Sequence, residues 1–543
     1  MDDFLAEEWE IWHSYSTYFK THIEGLEKIA KLLIDLEIAD CSIMSDGKTF
    51  CRTGDGVAVG KTELKLSGDA KKATIDFQSN DSGTASFTPY ARETWLIGSQ
   101  FLYGEARQFS SGKELPPVHL RAFLKPIELI KEDERISGLY PIVILYQSGV
   151  IIIEFRMFSP DNSIELTDFI DNYVNIHQCD YDYAMVPTAL GTLAPEAYQI
   201  YSNPKSNFLW RIRFLGNKKR YEEVFKKVSD KVDFGDFEFE MVPLLNTEDK
   251  ETITSVAQTL FGVMGFLISR PVSNFDFLLR GVRDLPELGN YWIGRPNIHL
   301  IRHSNQLDDA SSNGDLHKES FGRILARVPG NFGEFADVVP IDSRRFSDFS
   351  AYITSAVTLW VWSKKGLESQ QEWMDVNRGN LVYERQVQVE LLEYGYILHK
   401  SLVEKSSELK NYPDVLATRR DLIKLKSIML EATPYGEVRD LLSKGWEEMN
   451  LAAVQSQISD NLSILESEIK FFESKQGDNF RLFLTIFGLI ASAAFAKSVV
   501  SPLWKALHFW LPLNENWAEL FLVCISAILV ISFVLALRRF VYR

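Results

Sequence analysis

The sequence predicts an α+β (α/β) cytosolic domain followed by a long helical stalk and a C-terminal two-helix transmembrane hairpin. Three observations carry that expectation. Strand-like alternation dominates the first half, above all in Pro141 to Phe158. Helical periodicity runs almost unbroken from Leu381, and two apolar stretches, Leu482 to Val500 and Leu520 to Leu537, close the chain.

Taken in order, Trp9 to Leu36 carries Trp12, Tyr15, Phe19, Ile23, Leu26, Ile29, Leu33 and Leu36 at helical spacing, which predicts an amphipathic opening helix. Cys41 to Phe87 is rich in Gly, Asp, Ser and Thr, with alternating runs such as Glu63-Leu64-Lys65-Leu66, so short half-buried strands are expected there. The runs Ile142 to Tyr146 and Val150 to Phe155, joined at Gln147-Ser148-Gly149, predict a central β-hairpin. Phe208 to Leu215 and Phe234 to Val242 read as strands around a charged helix near Tyr221 to Val232. Residues 1–245 therefore form one α/β domain.

Residues 246–378 read as a mixed region. It holds a helix through Ser269, a turn-rich mobile loop at 305–320 and an apolar helix from Phe349 to Trp362. Residues 379–478 form the stalk, in helical segments Leu381 to Lys410, Pro413 to Ala432 and Gly436 to Gln476. In the last segment Leu451, Val454, Ile458, Leu462, Leu465, Ile469 and Phe472 make a packing seam. Residues 479–543 hold the hairpin and a basic tail. Lys470, Lys475 and Arg481 precede the first span and Arg538, Arg539 and Arg543 come after the second, which places both termini in the cytoplasm and the protein in the inner (plasma) membrane as a multi-pass chain.

Lys+Arg 58 against Asp+Glu 74 gives a net charge of −16, which repels nucleic acid and excludes its direct binding. Cys41, Cys51, Cys179 and Cys524 form no CxxC pair, so neither a disulfide framework nor a zinc site is indicated. Gly54 to Thr62 has the residues of a phosphate loop but not its spacing, and the adjoining Glu63 to Leu66 alternates like a strand. His299 and His303, with Asp308, Asp309 and His317, are metal-ligand types, yet strand spacing separates the first two too far for one ion, so no metal site is expected. No hydrolase, zincin or kinase signature appears. The chain is read as non-enzymatic, with no catalytic residue and no cofactor.

Two groups of residues remain as candidates. Arg280, Arg283, Arg295 and Arg302, with Trp292, stand out in an acidic chain and could hold a small anionic or nucleotide ligand through guanidinium pairing and stacking. Asn479, Thr485 and Ser492 recur near one face of the first apolar helix and could line a pore.

The order of acidic domain, helical stalk, two terminal membrane helices and basic tail resembles the CorA family of divalent-cation channels, over roughly Leu381 to Arg543. The resemblance implies a homopentamer in contact with membrane lipid, whose first membrane helices line the pore. The family's Gly-Met-Asn motif is missing, and Ala496-Lys497-Ser498-Val499-Val500-Ser501-Pro502 stands in its place. Motif-lacking relatives include nucleotide-signalled antiviral (CRISPR-associated) effectors. The expected function is therefore an oligomeric membrane channel or effector gated by a ligand on its cytosolic domain. The alternatives are a magnesium transporter and a membrane-anchored adaptor.

Overall fold

A computed structural model describes residues 4–495 apart from 67–72, 80–85, 110–115, 133, 203–219, 221–222, 245–249, 271–284, 290–291, 331–332, 345–346, 374–378, 409–411 and 432–435; after 495 it describes Trp517 alone. The chain divides into two compact units. One comprises Met1–Lys405 with Thr418–Ile458, and the other Ser406–Ala417 with Ser459–Arg543.

The chain opens with β1 (Leu5–Tyr18), where the sequence predicts a helix, and α1 (Leu26–Asp35) comes only after it. Both faces of β1 are buried, so aromatic residues occupy both registers of the strand, and their mixed spacing imitates a helical stripe. Then come β2 (Ala39–Met44), β3 (Lys48–Thr53), β4 (Gly56–Leu66), β5 (Ala73–Gln78) and α2 (Pro89–Gln108). The Gly-rich Gly54 to Thr62 segment is thus the β3–β4 turn and the start of β4, which continues through the alternating Glu63 to Leu66.

Next in the chain are β6 (His119–Leu124), β7 (Ile127–Lys131), β8 (Glu134–Tyr146) and β9 (Val150–Phe158). β8 and β9 are the expected hairpin. Gly149 in its turn has φ 98°, and a Cβ there would strike the Phe19 carbonyl, so only glycine fits. Beyond it lie β10 (Ile164–Glu165), β11 (Tyr183–Pro187), α3 (Thr188–Ser202), β12 (Asp230–Phe234) and β13 (Phe237–Pro243). The expected strand Phe208 to Leu215 falls outside the described residues.

Helix α4 (Ile253–Ser269) matches the expected helix and opens with a Thr252/Ser255 capping box. After β14 (Trp292–His303), α5 (Ala310–Leu316) and α6 (Lys318–Ala326) occupy most of the expected mobile loop. Its polar residues cap rather than float: Asp309 Oδ2 accepts the Ser312 amide at 3.1 Å. The expected helix Phe349 to Trp362 is instead the hairpin β15 (Phe349–Ile353) and β16 (Thr358–Trp362), whose aromatic and β-branched residues are buried on both faces.

Four further helices lie beyond α7 (Lys364–Trp373): α8 (Gly379–Glu408), α9 (Tyr412–Glu431), α10 (Gly436–Glu448) and α11 (Leu451–Phe495). The expected single helix Gly436 to Gln476 is broken at Asn450, which takes a left-handed φ of 54°. Within the predicted seam, Leu451, Val454, Ile458 and Leu462 are buried.

The transmembrane hairpin is corrected. Among the described residues no helix is long and apolar enough to cross a membrane. The stretch Leu520 to Leu537 lies outside the described residues. With the spans go the multi-pass inner-membrane location and the orientation argued from flanking charges.

The main sheet runs β15-β16-β14-β1-β9-β8-β6-β2-β3-β4-β5, with β14 and β16 parallel. One face, from Trp9, Ile11 and Tyr15 on β1 to Leu359 and Val361 on β16, packs an apolar core with α1, α3, α4 and α6. β8 is shared between two pairings. Ile142 to Leu145 align with β6, while Glu134 to Leu139 align with β7, which leads through β11 to the β13–β12 hairpin. The sheet therefore forks at Tyr140 and Pro141.

Candidate functional site

The second face of the main sheet is charged, and α2 and α8 cover it. On β6, His119 and Arg121 alternate with apolar Leu120 and Ala122; on β9, Glu154 and Arg156 alternate with Ile153 and Phe155. All of these polar side chains are buried. Buried charges must find partners, and here helix residues supply them.

Arg121 donates from Nη1 to Glu390 Oε1 and from Nη2 to Glu390 Oε2, each at 2.6 Å, and from Nη2 to Glu105 Oε1 at 2.8 Å. His119 Nε2 lies 3.1 Å from the same Glu105 oxygen. Burial works against the charge on Glu105, but His119 and Arg121 outweigh it and hold its carboxyl down to about 2. Glu154 accepts from Gln386 Nε2 at 2.6 Å and from Ser14 Oγ at 3.4 Å. Burial, reinforced by Glu390, pushes the Glu154 carboxyl well above the ordinary range.

Glu393, one turn beyond Glu390, is 1% exposed, and neither of its carboxylate oxygens has a hydrogen-bond partner among the described residues. Burial pushes it up to about 8, with Arg295 opposing and Glu390 adding to the shift. Burial thus raises the Glu154 and Glu393 carboxyls in a layer that also holds the Arg121 cation.

At the fork in the sheet lies a cleft of about 220 Å³. Tyr90, Glu93, Thr94 and Ile97 face it from α2, at the spacing of one helix face. Tyr140 and Phe158 form another wall, with ring centroids 5.4 Å apart. The β12–β13 turn brings in Phe234, Gly235, Asp236 and Phe237; Phe234 pairs with Phe237 across a two-residue turn in which Gly235 has φ 60°. Tyr90 holds the turn by an edge contact to Phe237 at 5.2 Å and donates its hydroxyl to Leu124 O at 3.1 Å.

Arg156 reaches the cleft from the buried layer. Its guanidinium carbon sits 4.1 Å from the Phe158 ring centroid and 4.9 Å from that of Tyr383 on α8, and its Nε donates to Glu10. Burial opposes this charge, but Glu10 and Tyr383 more than offset it, raising the pKa of Arg156.

Of the candidate site residues singled out from sequence, Arg295 and Arg302 are described in full, and both lie outside the cleft. Arg295 is buried, with Nη1 donating to Thr354 O at 2.9 Å and Nη2 to Met449 Sδ at 3.5 Å. Arg302 is exposed on the same strand and pairs with Glu8 at 3.1 Å. These two arginines do not converge. Trp292 starts β14, its side chain outside the described residues, as are Arg280 and Arg283 altogether. Asn479, Thr485 and Ser492 lie on α11, again with side chains outside the described residues. His303 and His317 stack edge-on at 4.8 Å, and no group of metal-ligand side chains occurs among the described residues. Sequence reasoning passed over Glu154, Arg156, His119 and Arg121, although charges inside otherwise apolar strand runs are a readable signal.

No family model matches the chain, and no curated protein or solved structure matches it either.

Proposed function

We propose that the chain is a non-enzymatic, ligand-responsive regulator in which the cleft receives a small molecule and α8 responds. The observation that carries this reading is the charged layer beneath α8. A helix seated through Arg121, Glu105, Glu390 and Glu154 gains little over apolar packing of the same volume, so stability alone does not account for it. Such a seat is sensitive to charge and can hold two arrangements of similar energy.

Arg156 connects the two places, because it lines the cleft and bonds Tyr383 near the start of α8. The helix then continues by the covalent chain to Glu408, past Ser406, where the second compact unit begins. An enzymatic reading is less well supported. The gap beside Glu105, His119 and Glu390 is about 10 Å³, no more than a water's worth.

Hydrogen exchange of the α8 amides in the full chain tests the proposal. Protection should fall on raising the pH from 6 to 9 and in Arg121→Met, while the core strands β1 and β9 stay protected. An α8 that exchanges with β1 and β9 in one cooperative unit at every pH would sink it.

A further inference from the structure

The cleft holds two acidic groups, Glu93 and Asp236, against the single cation Arg156. Arg156 is compensated by Glu10, whereas Glu93 and Asp236, which also line the cleft, have no ion-pair partner among the described residues. Partial burial pushes the Glu93 carboxyl up, with Arg156 opposing the shift and the nearby charge of Asp236 adding to it. Both carboxylates are exposed at the mouth of the cleft, where Arg156 offsets part of the negative charge on Glu93 and Asp236 adds to it; a cation between the two relieves their repulsion.

Around the carboxylates stand the rings of Tyr90, Tyr140, Phe158, Phe234 and Phe237. Ring faces attract cations, and the cleft already demonstrates it: the Arg156 guanidinium is stacked 4.1 Å from the Phe158 centroid. A volume of about 220 Å³ falls below the range typical of drug-sized ligands and fits a compact molecule.

We infer that the aromatic cleft between α2 and the β12–β13 turn binds a small organic cation, its ammonium or guanidinium head set between Glu93 and Asp236 and its apolar body against the rings. This deepens the regulatory reading, on which it rests for the cleft's role as receiving site. An anionic ligand is disfavoured there because it would meet both carboxylates while the one arginine is already engaged.

The test is calorimetric titration of the full chain with choline, with agmatine as the guanidinium probe, and with 3,3-dimethylbutan-1-ol, the neutral isostere of choline. At least one cation should bind saturably, and more weakly as salt rises. For choline the neutral alcohol should bind at least tenfold more weakly. Glu93→Gln combined with Asp236→Asn should weaken cation binding at least tenfold while the circular dichroism spectrum stays unchanged, and Tyr140→Ala provides a second variant that removes a ring instead of a charge. Equal binding of alcohol and choline, undiminished cation binding in both variants, or no saturable binding of either cation would overturn the assignment. Measuring α8 exchange alongside separates the two proposals. Cation binding without any change in α8 leaves the site and removes the regulatory reading; pH-dependent α8 exchange without cation binding does the reverse.

Discussion

Arg121 holds Glu390 with both terminal nitrogens, joining the central sheet to α8 by two parallel hydrogen bonds of 2.6 Å between residues that lie 269 positions apart in sequence. Both side chains are almost wholly buried, at 3% and 2% exposure. The pair therefore specifies where α8 sits more than it stabilises the fold.

Removing one partner of that pair should cost far more than removing both. Arg121→Met leaves Glu390 and Glu105 buried without their cation and should destabilise by about 3–5 kcal/mol. Adding Glu390→Leu should restore much of the loss, since a hydrophobic pair of similar volume is often neutral. Urea unfolding of the two single variants and the double variant gives the answer. Strictly additive losses would show that the two residues do not act as a pair.

Stability should also fall with rising pH through a carboxyl that is raised. Glu393 titrates at about 8 in the folded protein and near ~4.3 unfolded, so between those values the native state holds a proton that the unfolded chain has released. Its contribution declines across that window and is constant above it. Glu105 has the opposite sign: it is held down to about 2, so its contribution is present above ~4.3 and lost as the pH falls towards 2. Glu393→Gln should raise the urea midpoint at pH 8 and flatten the decline between pH 5 and 8. An unchanged slope would mean that Glu393 is ionised in the native state.

The sheet was legible where one signal acted alone. The β8–β9 hairpin shows clean apolar runs around a glycine turn, and α4 shows an apolar run from Val256 to Ile268 broken only by Gln258 and Thr259. Reading failed where burial on both faces erased the period. β1 places Trp9, Ile11 and Tyr15 in the apolar core and Trp12 and Ser14 in the polar layer, so no two-residue alternation of hydrophobicity survives. The same cause hides β15 and β16. The charges of the buried layer stand out inside apolar strand runs, but their partners could not be read, since the pairs join β6 and β9 to α2 and α8 and a long-range ion pair leaves no local pattern.

Asn450 offers a backbone test of the break between α10 and α11. Its φ of 54° is in the left-handed region, where glycine is at ease and β-branched residues are strained. Asn450→Gly should be neutral within a few tenths of a kcal/mol, and Asn450→Val should cost about 1–2 kcal/mol. Thermal unfolding of the two variants decides. If Asn450→Val is tolerated, α10 and α11 can merge into the single helix that the local sequence favours.

Arg156 should prove irreplaceable by lysine. It stacks on Phe158 at 4.1 Å and on Tyr383 at 4.9 Å while neutralising buried Glu10, a combination that needs a planar, forked cation. A lysine at the same position offers a compact charge that can pair with Glu10 but cannot lie flat against two rings. Arg156→Lys should therefore destabilise by about 2 kcal/mol or more, whereas Tyr383→Phe, which removes one hydrogen bond and keeps the ring, should cost only about 1 kcal/mol. Hydrogen exchange should show where both changes are felt. Amides at the start of α8, residues 379–390, should lose protection in both variants, and those of β13 in neither, because Phe239 and Met241 belong to a separate apolar cluster. Retained protection at the start of α8 in Arg156→Lys would mean that the cleft and the helix are mechanically independent.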